Sequence, residues 1–420
     1  MSSVSLVFST LGELIQRYRQ ERGMTQAHLA ELSGVSSGSI SKIENGEIRR
    51  PDYKTIQPIR AALEIPFDEV LDPFMLTKPR SDTLFTLLHD SFSLQNSSLS
   101  SKIASYLLES EDENSEAIAA KLLLDIQQLV DNTEIKLALL DTLIAYARSH
   151  GMQSFVAQGS LQKYLVERDD FSKLEETFQS GKYILHYTEF LTTDERITLY
   201  YKLGVHAYNL RRFSECIELC KQAIIEDESE SSFKAYSTLL ICSSYFELQQ
   251  YELAEKYLKT FSLFNFPFVK ENVDFIAARL NERKGNIEFA VTQLQQCLER
   301  SSHKVNIVNV LLTIYLSNND LDSAKIIFQR EPEFLPEDLF NPISNAEFAH
   351  YFFNKGRYYQ EIGDFNEAIN HFIKSAIIFA KISMPKYAYD CLELLFQILK
   401  DNYDHNMEDS IKKLFIELKK

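Results

Sequence analysis

Apolar residues recur at i, i+3, i+4 and i+7 along nearly all of the 420-residue chain, while alternating Val/Ile/Thr-rich runs bounded by turn pairs are almost absent. Gly and Pro fall at the ends of the periodic segments, where helices stop. The pattern therefore predicts an all-α protein. Leu11, Leu14, Ile15 and Tyr18 mark one face of a first helix that stops before Gly23. Leu29, Ala30 and Leu32 mark a second, and Ile40 and Ile43 the inner face of a third. Ile56, Ile59 and Leu63, then Phe67, Val70 and Leu71, supply two more. Residues 1–75 thus read as a compact five-helix domain. The Ser-rich stretch 76–100 (LTKPRSDTLFTLLHDSFSLQNSSLS) reads as a linker with room for one helix, and 101–420 as an array of helical hairpins.

The third helix has a defined start. Gly34 permits a tight turn, Ser36 is placed to cap, and Val35 before the cap faces Ile40 inside it, the spacing of a hydrophobic staple. With Ile40 and Ile43 turned inward, Ser37, Gly38, Ser41 and Lys42 point out, and Asn45-Gly46 ends the helix. Across residues 11–72 this closely resembles the helix-turn-helix of Cro and Xre-type repressors. It shares the "G-x-T-Q-x-x-L-A" start of the second helix, the "G-V-S" turn, the "I-S-x-I-E-x-G" recognition helix and the trailing "R-R-P". The resemblance implies binding to double-stranded operator DNA, with the third helix in the major groove. It assigns the contacts to Gln26, Ser36, Ser37, Gly38, Ser41, Lys42, Asn45, Arg49 and Arg50. Gln26 would touch phosphate or orient its neighbours, Ser37, Gly38, Ser41 and Lys42 would face base edges, and Asn45, Arg49 and Arg50 would lie near the backbone. Two departures matter. His28 stands where a Glu often completes a capping box with Thr25, and the recognition helix has no Gln, Asn or Arg for bidentate base readout. Specificity is therefore expected to lean on Lys42, on DNA shape and on the spacing of two half-sites.

Self-similarity organises the rest. A unit reading bulky, two residues, small, three residues, bulky recurs as Phe171–Leu174–Phe178, Phe213–Cys216–Cys220, Tyr251–Ala254–Leu258, Ile287–Ala290–Leu294, Leu321–Ala324–Phe328 and Phe365–Ala368–Phe372. Its central positions lie 42, 38, 36, 34 and 44 residues apart. Small residues also stand upstream, at Gly204, Cys242, Ala278 and Gly356, and antiparallel helices approach closely only where such residues meet. Over about 155–380 the spacing resembles degenerate tetratricopeptide repeats, whose period is ~34 residues. The resemblance implies a right-handed superhelix of antiparallel helix pairs whose first helices line a concave groove. Carried across in one register, it places Tyr201, Tyr208, Asn209, Phe246, Asn272, Arg279, Arg283, Asn306, Asn309, Thr313, Asn354, Arg357 and Gln360 inward. Asn can donate to one backbone carbonyl and accept from one N–H, so it holds a peptide of any sequence. Arg can take a carboxylate bidentately. Asn114–His150 is helical without a clear repeat signature and reads as a capping hairpin.

Net charge on its own argues against a DNA role. The chain carries 44 Lys+Arg and 60 Asp+Glu, a formal −16, but residues 1–60 hold 8 basic and 6 acidic side chains, a local +2. The remaining 360 residues carry the deficit. No apolar run reaches the ~18–20 residues of a membrane span, and Met1–Thr10 lacks the basic start of a signal peptide, so no membrane association and a cytoplasmic location are expected. Cys216, Cys220, Cys242, Cys297 and Cys391 are odd in number and never spaced C-x-x-C, which predicts buried packing thiols rather than disulfides, zinc or another cofactor. Gly34–Gly38 satisfies G-x-S-x-G, the elbow of α/β-hydrolases, but no strand precedes it, and no other catalytic signature is present. The protein is read as a non-enzyme.

A Xre-type domain joined to tetratricopeptide-like repeats resembles the peptide-pheromone receptors of the Rap, Rgg, NprR, PlcR and PrgX group, NprR most of all, and also the phage arbitrium receptors. His350–Gln360 (HYFFNKGRYYQ) with its following Gly-Asp-Phe-x-x-Ala-Ile hairpin resembles their C-terminal repeats. The resemblance implies a homodimer, a short signalling oligopeptide in the groove and quorum-sensing control of transcription. Two alternatives stay open: a protein-interaction regulator that sequesters or dephosphorylates a response regulator as second partner, and a phage-type repressor whose repeats only oligomerise.

Overall fold

The computed structural model describes residues 10–301, 304–335, 342–382 and 384–401. The ends of the chain, 1–9 and 402–420, on which the signal-peptide reading and the last part of the repeat domain fall, lie outside the described residues. Among the described residues the chain is helical with no strand. It divides into two compact units, Met1–Lys163 and Tyr164–Lys420.

The first unit opens with α1 (Leu11–Glu21), α2 (Gln26–Ser33), α3 (Ser37–Glu44), α4 (Tyr53–Ala62) and α5 (Phe67–Met75). Local sequence sets their ends. Thr10, Thr25, Ser36 and Asp52 each accept a backbone N–H of the first turn they precede, and Gly34 closes α2 in the left-handed region at φ 70°. Leu14, Ile15, Leu29, Ile40, Ile43, Ile56 and Ile59 are buried together, whereas Leu32 is exposed.

The stretch expected to be a linker is instead structured. It holds α6 (Ser81–Phe92) and the start of α7 (Ser97–Leu108), and α8 (Ser115–Leu129) and α9 (Thr133–Ser149) follow. Leu84, Phe85, Leu87 and Leu88 join the same hydrophobic core as α1–α5. Tyr53 Oη donates to Asp90 Oδ2 at 2.8 Å, tying α4 to α6. The serines that resemble linker composition are small residues at a helix crossing: Ser91 and Ser100 are fully buried and their hydroxyls meet at 2.8 Å. The boundary between units falls inside α10 (Gln153–Glu167), so the Asn114–His150 hairpin belongs to the first unit rather than to the repeats.

The second unit runs through α11 (Leu174–Tyr183), α12 (Thr193–Asn209), α13 (Phe213–Glu226), α14 (Ser232–Glu247), α15 (Tyr251–Phe261) and α16 (Pro267–Arg283). It continues with α17 (Ile287–Arg300), α18 (Lys304–Ser317), α19 (Leu321–Gln329), α20 (Pro342–Glu361), α21 (Phe365–Lys381) and α22 (Pro385–Asp401). Each helix packs on its sequence neighbours, and inner helices also pack on one another, α12 on α14 and α18 on α20. The small residues do mark the crossings. A Cβ on Gly204 would sit 2.5 Å from Cys220 Sγ, one on Gly356 would press on the Phe372 ring, and Cys242 donates its thiol to the Ala254 carbonyl at 3.2 Å. The turns inside successive hairpins repeat one device, a left-handed residue: Arg211, Gln249, Gly285, Asn319 and Gly363, at φ 59°, 60°, 86°, 55° and 81°.

Candidate functional site

The candidates for DNA contact lie on α2, on α3 and in the segment that follows α3. Ser36, Ser37, Gly38, Lys42, Asn45, Arg49 and Arg50 are exposed and Ser41 is half-buried. Ser36 Oγ accepts from Ser39 N at 3.1 Å, which fixes the start of α3. Asn45 reaches back to Ser41 Oγ at 3.5 Å. Gln26 is engaged inward: its Nε2 donates to Glu44 Oε2 at 2.9 Å. Glu44 is buried at the end of α3, and Arg19 of α1 grips it with two bonds of 2.7 Å while donating to the Met24 carbonyl at 2.8 Å. One carboxylate thus locks α1, α2 and α3, a pairing that a fully satisfied buried charge requires. Sequence reading missed this role because Glu44 looks like an ordinary acidic residue near a helix end. Thr25 Oγ1 accepts from His28 N at 3.1 Å, so half of the capping box forms and His28 leaves the other half unmade.

In the second unit, a groove of about 420 Å³ crosses the inner helices. It brings together Tyr208, Asn209, Arg279, Arg283, Asn306, Asn309, Thr313, Asn354 and Arg357 of the sequence-based set. Tyr201, Asn272 and Gln360 do not line it, and Phe246 lies buried beneath. Tyr201 instead packs on Phe233 and Tyr236, and Asn272 bonds its own helix at the Phe268 carbonyl. The reason is geometric. The groove runs obliquely, from the C-terminal turns of α12, α14 and α16 to the middle of α18 and α20. A register carried unchanged from repeat to repeat drifts off that track.

The floor is a network of partly paired charges. Glu247 receives Arg279 at 3.2 Å and lies 3.9 Å from Arg211, whose guanidinium also sits 5.4 Å above the Tyr387 ring. Arg279 stacks 4.1 Å over Phe246. Burial raises the Glu347 carboxyl, and Asn309 and the nearby arginines partly oppose it. Burial also drops His350 to about 4, helped by Arg211, and lifts Tyr208 to about 12, helped by Glu247. Near neutral pH both rings are therefore uncharged hydrogen-bonding groups. Glu247 and Glu347 were not legible as site residues, since single acidic residues are unremarkable in an acidic chain.

One buried acceptor here has no partner, and one groove arginine has no ion pair among the described residues. Asn309 is 7% exposed and its Nδ2 donates to the Glu347 carbonyl and Oε2 at 2.8 and 3.0 Å, but its Oδ1 has no partner. Arg283 pairs with Glu282, whereas Arg357 alone of the groove arginines has no carboxylate partner among the described residues. The described residues hold no cluster suited to a metal ion.

Comparison with known proteins finds a family match in each unit. Residues 15–70 match the helix-turn-helix family and residues 349–376 the tetratricopeptide repeat. The chain is 40% identical over 62 residues to the transcriptional repressor RghR of Bacillus subtilis (strain 168), and 38% identical over 63 residues to the regulator RghRB of the same organism. These matches cover 15% of this chain and 46% and 45% of those proteins, so it spans a little under half the length of the curated relatives. Among solved structures, phAimR aligns over 97% of this chain and 100% of its own at 13% identity and a TM-score of 0.41. Bacillus thuringiensis PlcR, in complex with the peptide PapR7 and DNA, aligns over 65% and 99% at 16% identity and 0.22. Scores this low transfer no residue roles. The amino-terminal unit carries a helix-turn-helix of the kind found in transcription regulators. A tetratricopeptide-type repeat lies in the second unit of the same chain.

Proposed function

We propose that the protein is a cytoplasmic, homodimeric transcription regulator that reads operator DNA through α2 and α3 and is switched by a short signalling oligopeptide in the groove of its repeats. The peptide reading is carried by Arg357, which has no carboxylate partner among the described residues, in a groove that amide side chains also line. An extended peptide supplies backbone N–H and C=O groups for those amides and a carboxylate for Arg357. Asn209, Asn306 and Asn354 offer further amides, and Tyr208, Arg279 and Arg283 complete the walls. On the DNA side, Ser37, Gly38, Ser41 and Lys42 face base edges while Asn45, Arg49 and Arg50 approach phosphate. Lys42 supplies the one long cationic side chain on the recognition face.

The switch is a population shift. The repeats adopt two arrangements, the peptide binds one better, and its differential affinity alters the separation of the paired recognition helices. Half-sites one helical turn apart, ~34–36 Å, tolerate little change in that separation. The test is calorimetric titration of the full chain with peptides encoded beside its gene, combined with salt-controlled gel shifts with and without peptide. A peptide that binds the wild type and changes its operator affinity is the expected result. Binding by none of them removes the peptide reading, and failure to retard any duplex at low salt removes the DNA reading.

A further inference from the structure

The chain contains 12 glycines, and the fold accounts for eleven of them. Gly23, Gly34, Gly46, Gly151, Gly285 and Gly363 hold positive φ, where a side chain is strained. A Cβ on Gly12, Gly159, Gly181, Gly204 or Gly356 would come within 3.0 Å of a neighbouring atom; at Gly12 it would strike the Ile43 carbonyl oxygen. Gly38 meets neither condition. It lies in α3 without a positive φ, and a Cβ built there has nothing within 4 Å. Alanine is the better helix former, so folding alone favours replacing this glycine. Gly38 is exposed in the first turn of α3, beside the exposed Ser37 and one turn before Ser41 and Lys42. The chain is bare at one position where nothing in its own structure asks for it.

We propose that Gly38 is a specificity-determining residue, whose missing side chain lets the leading turn of α3 approach the edge of a base pair and seat a thymine 5-methyl group against its Cα. The inference rests on the DNA reading above. Thymine follows from chemistry. The Gly38 Cα offers apolar surface and no side-chain donor or acceptor, and the apolar feature of the major groove is the thymine methyl. The short side chains of Ser37 and Ser41 leave the same face low, so the helix can sit deep enough for that contact. A Cβ at 38 would occupy the volume of the methyl.

The experiment uses the full-length wild type, Gly38→Ala and Gly38→Ser. Each selects sites from a randomised duplex pool at one salt concentration, and the selected sites are then titrated with single thymines replaced by uracil, which lacks the methyl. Gly38→Ala should keep or raise its melting temperature and keep the salt slope of binding. It should lose about tenfold or more on the wild-type site, the scale of one mismatched base pair, and change preference at one position. Uracil at that position should weaken the wild type about fivefold or more and Gly38→Ala much less. Variants that select the wild-type sequences with affinities within about twofold overturn the proposal, and a shifted position indifferent to uracil overturns the methyl contact. A wild type that selects no sequence removes the DNA reading and this inference with it, an outcome that the variants cannot mimic.

Discussion

Single residues carry two quite different kinds of charge. Glu44 is a structural charge: it is buried, held by two 2.7 Å bonds from Arg19 and a third bond from Gln26. Removing one partner of a buried pair costs about 3–5 kcal/mol because the other is left uncompensated. Glu44→Ala should therefore lower the stability of the full chain by roughly 3 kcal/mol in calorimetry, and Gln26→Ala by about 1 kcal/mol. Arg357 is the opposite case, a guanidinium at the groove with no carboxylate partner among the described residues. Arg357→Ala should leave the melting temperature unchanged yet weaken a groove-binding peptide by about 10–100-fold, the worth of a charge-assisted bond. The outward face of α3 and the groove amides Asn209, Asn306, Asn309 and Asn354 were legible in the sequence, because helix period and repeat register set which side a residue faces. Glu44, Glu247 and Glu347 were not, since their roles depend on partners from other helices.

At the scale of elements, the intra-hairpin turns show how far sequence goes. Gly285, Asn319 and Gly363 are residues that accept left-handed backbone and announce their turns. Arg211 and Gln249 hold the same conformation against preference, at roughly 1–2 kcal/mol each. Gln249→Gly should stabilise the protein by about 1 kcal/mol in urea unfolding, with the m-value unchanged. Gln249→Val should lose as much or more. The Ser-rich stretch was misjudged for a related reason, because composition counts serines without regard to where they point. Ser91 and Ser100 point at each other across a helix crossing. The apolar spacing of Leu84, Leu87 and Leu88 was the better signal. Tyr201, Asn272 and Gln360 fall off the groove track, because its oblique course accumulates over five inner helices and no single repeat encodes it.

For the molecule as a whole, acid is the revealing perturbation. His206 is 2% exposed, its Nδ1 meets the Tyr164 hydroxyl at 3.2 Å, and burial drops it to about 4. A histidine depressed from about 6.5 in the unfolded chain lets that chain bind the extra proton, so its stabilising contribution is complete above pH ~6.5 and is lost as pH falls toward 4. At 1.36 kcal/mol per pKa unit the loss approaches about 3 kcal/mol. The stability difference between wild type and His206→Gln should therefore shrink between pH 7 and pH 4.5, as measured by denaturant unfolding at each pH. His350 and His371, also lowered to about 4, add to the slope of the wild type. The five thiols give the same molecule a second property. Cys216 and Cys220 in α13, Cys242 in α14, Cys297 in α17 and Cys391 in α22 are buried, and burial pushes Cys242 up to about 12 and Cys391 up to about 11. Shielded from solvent, the thiols react when their own hairpin opens. Alkylation followed by mass spectrometry thus times the breathing of four separate helices, with no label added and with the described part of the DNA-reading unit silent. A ligand lying along the whole groove should slow all five clocks together, while one gripping a single end should slow only the nearest.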